Sequence, residues 1–308
     1  MNREVYQELM VLIEKMQANG KLEYQIDSPL APHSSFRIGG NADLLVFPYT
    51  RESLIELLAQ VDRLNIRRDI FGNGSNVLFA DEGYRGVVII TTKMNQIHRE
   101  GNILWADAGA SFTGLAVRAQ KEGLSGLEFA YGIPGSVGGS IFMNAGAYDG
   151  EIAQICTETI LLDGEVRSVV GDAQGFGYRT SAFQHMGDAV ILAGKFELTP
   201  GDPDAIKAKM ADLMERRRDK QPLEYPSAGS TFKRAPGYFT AKLIDDAGLK
   251  GFTVGGAQVS EKHAGFVINR GGATAADVLK LIEIIQKRIL EETGVAIECE
   301  VRIIKAEA

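Results

Sequence analysis

The chain has 308 residues, with 33 Lys and Arg against 40 Asp and Glu, a formal net charge of −7 at pH 7. That balance argues against nucleic acid or an anionic membrane as the main partner, since such surfaces are met by a basic excess, and leaves room only for a local anion pocket. At roughly 100–200 residues per domain the length predicts two or three units, large enough to need no disulfide.

Cys156 and Cys299 are far apart, and His33, His98, His185 and His263 are scattered, so no metal-ligand spacing occurs and no metal is expected. Met1 to Lys15 mixes charges among its apolar residues and has no signal-peptide core. No apolar run reaches the roughly 18 residues of a membrane span. The expectation is a cytoplasmic protein.

Val5, Leu9, Leu12, Ile13 and Met16 form an apolar stripe at helical period, closed by Asn19-Gly20. A strand over 44–48 follows, then a helix capped by Thr50 with Leu54, Leu57, Leu58, Val61 and Leu64 on one side, then a strand beginning at Ile70-Phe71. This reads as a βαβ unit that ends in Gly72-Asn73-Gly74-Ser75-Asn76. Further strands are expected over 87–91 and 103–108, with a short helix over 111–122 stopped by Gly123. Gly132 to Ser140 is too rich in glycine for a regular element and reads as a shaped loop. Short strands fill 156–198, with a hairpin turn at Asp163-Gly164.

Asp202-Pro203 is an N-cap followed by proline at the first helical position, and the helix runs to about Arg218 with Ile206, Met210, Leu213 and Met214 as its stripe. Beyond it come a glycine turn over 227–230, a helix near 239–247, strands near 258–259 and 265–268, and a long helix opened by the Thr274/Asp277 capping box and ended by Gly294. The last strand has a clean period of two: Ile297, Cys299, Val301 and Ile303 one way, Glu298, Glu300 and Arg302 the other.

Glycine is the compositional anomaly, 35 residues or about 11% against a usual ~7%. The pentad Gly72–Asn76 follows a strand, so its amides can converge on an anion such as a diphosphate, with Ser75 and Asn76 adding side-chain donors. A tight turn would need the same residues. The pentad lacks the third glycine of the Rossmann fingerprint, and no Gly-Lys-Ser/Thr occurs. A second glycine-rich stretch on the same unit, followed by Asn144 to Tyr148, favours ligand binding, with a dinucleotide as the natural guest. Singly, Arg179, Ser230, Glu300 and the basic run Arg216 to Lys220 read as ion-pairing, capping or solvated surface residues. No Gly-x-Ser-x-Gly elbow is present.

The pentad, the block Gly132–Glu151, Tyr178-Arg179-Thr180-Ser181, Lys220-Gln221-Pro222, Ala228-Gly229-Ser230-Thr231-Phe232-Lys233 and Glu300-Val301-Arg302 occur in this order. Together they resemble the UDP-N-acetylenolpyruvoylglucosamine reductase family, from about Pro29 to Ile304. The resemblance implies an α+β fold. An FAD-binding domain of the p-cresol methylhydroxylase/vanillyl-alcohol oxidase type would span 1–200, in subdomains of about 1–95 and 96–200, and a C-terminal α/β substrate-binding domain 201–308.

It further implies that Gly72, Asn73, Gly74, Ser75, Asn76, Ile133, Pro134, Gly135, Ser136, Gly138, Gly139, Ser140, Asn144, Gly146 and Arg302 hold FAD. No histidine stands beside the pentad, so the FAD is expected to be non-covalent. NADPH would reduce the flavin, and UDP-N-acetylglucosamine enolpyruvate would then be reduced to UDP-N-acetylmuramate for peptidoglycan. Arg179 and Glu300 match the family's residues for stabilising the intermediate anion, Glu300 acting only if protonated or paired, and Ser230 matches its proton donor. Tyr148, Lys220 and Arg234 match substrate contacts. The interval between Arg179 and Pro200 has no room for the tyrosine loop of the longer subtype, which places the chain with the shorter one. No nucleic acid, membrane or obligatory protein partner is implied. Another FAD-fold oxidoreductase, a flavin-free nucleotide-sugar transferase and a non-catalytic flavin binder are the competing readings.

Overall fold

The computed structural model describes residues 3–307. Its contacts divide the chain into two units: one takes residues up to Ile26, Leu44–Asn73 and Gly86–Arg216, the other Asp27–Asp43, Gly74–Arg85 and everything from Arg217 on. The contiguous division expected at 200 therefore differs from the one observed, which falls inside the helix Pro203–Lys220. The reason is that Phe36, Ile38 and Leu78 help fill the apolar core of the second unit, so two short early segments group with the C-terminal residues.

The first unit has two cores. In one, Leu9, Ile13 and Met16 from the helix Arg3–Ala18 pack with Leu54, Leu57, Leu58 and Val61 from the helix Arg51–Arg63 and with Leu44, Val46, Val87 and Ile89 from strands. Thr50 caps the second helix by accepting from the amide of Ser53, as its position requires. The four-stranded sheet runs Leu22–Pro29, Asn41–Pro48, Tyr84–Ile90, Arg68–Phe71. Ile70-Phe71 ends a strand rather than beginning one, and Tyr84–Ile90 lies between the two strands of the expected βαβ unit, parallel to the second. The chain leaves the sheet at Gly72, which must be glycine because a Cβ there would meet Ser136 Oγ at 1.9 Å.

The other core lies against a five-stranded antiparallel sheet, ordered Glu165–Val170, Cys156–Asp163, Val190–Glu197, Ile103–Asp107, Ile97–Glu100. Asp163 pairs with Glu165 across Gly164, whose φ of 70° makes the expected hairpin turn. Ser111 caps the helix Phe112–Lys121, and Gly123 follows its end with φ 67°.

The glycine-rich stretch Gly132–Ser140 is not all loop. Val137–Phe142 is a helix, capped by Ser136 Oγ accepting from the amide of Gly139 at 3.3 Å. Gly138 and Gly139 each cost it about 1 kcal/mol relative to Ala. Burial of Val137 and Ile141, at about 1.5–3 kcal/mol each, outweighs that. Gly138 is also sterically required, since a Cβ there would lie 2.8 Å from that of Ala108.

In the second unit, the helix Ala275–Thr293 buries Val278, Leu281, Ile282, Ile285 and Ile289 against the antiparallel strands Thr253–Val254, Ala257–Val259 and Val267–Asn269. Its capping box and Gly294 stop, with φ 72°, are as expected. The final alternation is only partly realised. Ile297 and Val301 are buried, but Ile303 is exposed and Ile304 buried, because the regular strand is Arg302–Ile304, parallel to Val77–Phe79. Residues 297–301 instead cross Phe232 through one antiparallel bridge at Cys299, and the phase slips between the two pairings. Among the described residues no helix is long and apolar enough to cross a membrane, and no cluster of potential ligands could hold a metal.

Candidate functional site

The pentad begins in the first unit, where Gly72 presses on Ser136 and Asn73 Nδ2 donates to Gly135 O at 3.2 Å. Its second part belongs to the other unit. Gly74 has φ 58°, and a Cβ there would meet the His33 carbonyl oxygen at 2.1 Å. Gly74 O accepts from the amide of Ser35 at 3.1 Å. Asn76 Nδ2 donates to Glu300 O at 3.1 Å, and Asn76 O accepts from the amide of Arg302 at 3.0 Å.

Two consequences follow for the expected ligand site. The glycines are needed because the protein's own atoms approach, and the Asn73 and Asn76 amides anchor the loop. The amide N–H groups of Asn73, Gly74, Ser75 and Asn76 nevertheless donate to none of the described residues. Four successive free donors suit an anion with several acceptor oxygens, such as a diphosphate, better than a turn that closes on itself.

In the second glycine-rich segment the donors are largely engaged. Val137 donates to Ala110 O and Gly138 to Ala108 O, both at 2.8 Å, and Gly139 to its cap. The amides of Gly135 and Ser136 donate to none of the described residues. Ile133 is half-buried and Pro134 exposed, while Ser140 is buried and its carbonyl accepts from the amide of Ala145. Gly139 is exposed, and a Cβ there would meet nothing closer than Ser136 Oγ at 3.3 Å, so this glycine is not demanded by protein packing. An open cradle beside free amides fits a flat, anionic cofactor such as FAD.

Asn144 to Glu151 form a tight hairpin. Gly146–Ala147 pairs antiparallel with Gly150–Glu151, and the two turn residues, Tyr148 and Asp149, have φ of 52° and 67°. Positive φ at both is the type I′ pattern that Asn-Gly satisfies easily and Tyr-Asp does not. Tyr148 is thereby held exposed at the tip.

Arg179 occupies another two-residue turn, closed by Gly177 and Thr180 donating to each other's carbonyls at 3.0 and 3.2 Å, in which only Arg179, at φ 54°, has a positive φ. Its Nη2 donates to Gly146 O at 3.1 Å, and its guanidinium lies 5.2 Å from the centre of the Tyr178 ring. Asn144, expected to touch the cofactor, has no exposed surface.

In the second unit, Ser230 follows Gly229, whose φ is 75°, and is exposed with no hydrogen bond from its hydroxyl to the described residues. Thr231, next to it, is clamped. Its amide donates to Gly265 O at 2.8 Å, its hydroxyl accepts from the amide of Val267 at 2.9 Å, and its carbonyl accepts from the amide of Glu300 at 2.8 Å. Ser230 and Glu300 thus lie on two facing segments joined by the single antiparallel bridge between Phe232 and Cys299. Arg302, two residues on, is exposed. Lys220 is exposed at the helix end, and Arg234 lies over the Phe239 ring at 4.8 Å.

His263 was considered only as a metal ligand in the sequence. Its Nδ1 accepts from the amide of Gly265 at 3.1 Å, and Gly265 O in turn holds Thr231, so it supports the Ser230 segment. Burial holds its pKa below the ordinary value, and burial does the same at His33. Burial raises the Cys299 thiol, which keeps it protonated beside Glu300. No spacing signal marks the role of His263, because the Thr231 that Gly265 holds is distant in sequence.

Residues 42–169 match the FAD binding domain family, and residues 221–304 match the family described as UDP-N-acetylenolpyruvoylglucosamine reductase, C-terminal domain. The UDP-N-acetylenolpyruvoylglucosamine reductase of Clostridium perfringens is 50% identical over 281 residues, covering 91% of this chain and 92% of the relative. That of Pediococcus pentosaceus is also 50% identical, covering 91% and 93%. The crystal structure of the Thermus caldophilus UDP-N-acetylenolpyruvylglucosamine reductase superposes with a TM-score of 0.78 at 33% identity, over 92% of this chain and 99% of that one.

Proposed function

The chain belongs to the UDP-N-acetylenolpyruvoylglucosamine reductase family, and from this premise we propose how its residues share the work. It is an FAD-dependent oxidoreductase of peptidoglycan synthesis that reduces UDP-N-acetylenolpyruvoylglucosamine, with NADPH as co-substrate. Bound FAD supplies, from its ring nitrogen 5, the hydride received from NADPH.

The amides of Asn73 to Asn76 and of Gly135 and Ser136 hold the cofactor's diphosphate, with Gly139 leaving space for its approach. Ile133, Pro134, Gly138, Ser140 and Gly146 shape the same cradle, and Arg302 is a further residue assigned to holding the cofactor. Hydride addition at the terminal carbon of the enol ether leaves a negative charge delocalised into the substrate carboxylate. Arg179 supplies fixed positive charge for that anion, and Glu300 assists as a hydrogen-bond donor in its protonated form. Ser230 then gives its hydroxyl proton to the second carbon. A hydroxyl is a weak acid, so the step depends on a strongly basic anion and on fixed geometry. Lys220 meets the substrate diphosphate, and Tyr148 and Arg234 make further substrate contacts.

One observation carries this division of roles: the Ser230 hydroxyl is exposed and unbonded among the described residues, on a segment bridged at Phe232 to the one that bears Glu300. Both cysteines are free thiols, which suits the cytoplasm, and the reaction calls for no protein partner, nucleic acid or membrane. Anaerobic mixing tests it directly. The purified protein should be yellow, NADPH should bleach it, and the enolpyruvyl substrate should restore the colour. A folded protein that stays colourless and takes up no added FAD would refute the reading.

A further inference from the structure

Asn144, Tyr148, Asp149 and Arg179 are four of the seven described non-glycine residues with positive φ. Such conformations persist only where the surroundings over-determine them. We propose that Asn144 is a positioning residue, whose buried amide locks together the two strained turns that present Tyr148 and Arg179, and that it makes no contact with the cofactor.

Its side chain has 0% exposure, so no ligand can reach it without displacing protein. Its Nδ2 donates to Gly177 O at 2.9 Å, at the base of the Arg179 turn. Its Oδ1 accepts from the amide of Ala153 at 2.9 Å, just past the Tyr148 hairpin. The next residue of that segment completes the hold, as Gln154 Nε2 donates to Asp149 O at 3.0 Å.

Only a carboxamide offers a donor and an acceptor on one short planar group, and Asn is also the non-glycine side chain that best tolerates its own φ of 43°. A second strap limits the damage of losing it. Ser181 Oγ and Gln184 Nε2 both donate to Phe142 O, at 2.7 and 2.8 Å, so the Arg179 turn should loosen rather than unfold.

The proposal rests on the reading of Arg179 as the anion stabiliser, and the experiment separates the two. Asn144→Asp keeps the acceptor and removes the donor to Gly177. In the holoenzyme, hydrogen exchange of the Gly177 and Thr180 amides should accelerate by about tenfold, the size expected for one lost buried hydrogen bond. FAD content and NADPH bleaching should be unchanged, and reoxidation by the enolpyruvyl substrate should slow by about tenfold. In an Arg179→Ala background the same substitution should slow reoxidation no further.

Unchanged exchange at Gly177 and Thr180, or loss of FAD with normal exchange there, would overturn the proposal. Arg179→Ala reoxidising at the wild-type rate would sink the reading of Arg179, while the exchange rates would still decide on Asn144. Should Asn144→Asp fail to fold, Asn144→Gly accepts the backbone angle, deletes both bonds and is read in the same way.

Discussion

Arg179 stands in a turn that its residue type disfavours, held there by a buried amide and by its own bond to Gly146 O, whereas Ser230 follows a glycine that makes its turn without strain and sits next to the clamped Thr231. The two arrangements suit different tasks. A charge that must face a developing anion gains from a fixed position, and the surrounding bonds offset the strain of fixing it. A proton donor needs a hydroxyl engaged with nothing else, and the bonds that clamp Thr231 fix the backbone next to Ser230 while its hydroxyl bonds to none of the described residues.

The largest effect should come from the Ser230 side. Ser230→Ala is expected to slow reoxidation by the enolpyruvyl substrate by about 10²–10⁴-fold while NADPH bleaching proceeds as before. Because the hydroxyl bonds to none of the described residues, unfolding stability should change by less than about 0.5 kcal/mol. Reoxidation near the wild-type rate would remove the contrast between the two regions.

Lys220→Ala should raise the KM for the UDP-sugar by about tenfold, the loss of one charge-assisted contact, with FAD content unchanged. Equal substrate affinity in the two proteins would exclude this lysine from the site.

A smaller effect is a dependence of stability on pH. Burial lowers the pKa of His263 in the folded state, so the unfolded chain binds the extra proton first. Stability should therefore fall as pH drops below the ordinary histidine value of 6.5 and level off once the folded-state pKa is passed. Urea midpoints at mildly acidic and neutral pH would measure it. His263→Asn should narrow the gap between them without closing it, since His33 is shifted in the same direction. The smallest effect belongs to the strained side: Asp149→Gly should raise stability by about 0.5 kcal/mol, because relief at φ 67° slightly exceeds the added chain entropy. Lower stability would mean that the turn is not strained at that residue.

Much of this was legible in the chain. The stripe of the helix Ala275–Thr293, its Thr274/Asp277 box and its Gly294 stop lie within one element and were readable directly. So were the Asp163-Gly164 hairpin and the cap at Thr50. The order of separated blocks pointed to the family. The placement of Arg179 and Asn144 in left-handed conformations was not legible, since Arg does not announce a positive φ, Asn only permits one, and both are held by groups about 30 residues away. A polar amide among glycines suits a ligand as well as a strut, so the sequence alone does not separate the two roles for Asn144.

By itself the sequence determined the elements whose signals span one or two turns: caps, stops, apolar periods and glycines that allow unusual backbone angles. Tertiary structure decided what those glycines admit. It turned Val137–Phe142 into a helix against its propensity, set Gly72 against Ser136 and Gly74 against His33, and left the amides from Asn73 to Asn76 without an acceptor among the described residues. The physical reason is range. Propensity and capping act between near neighbours, while steric contact, burial and the count of satisfied donors depend on which distant segments arrive.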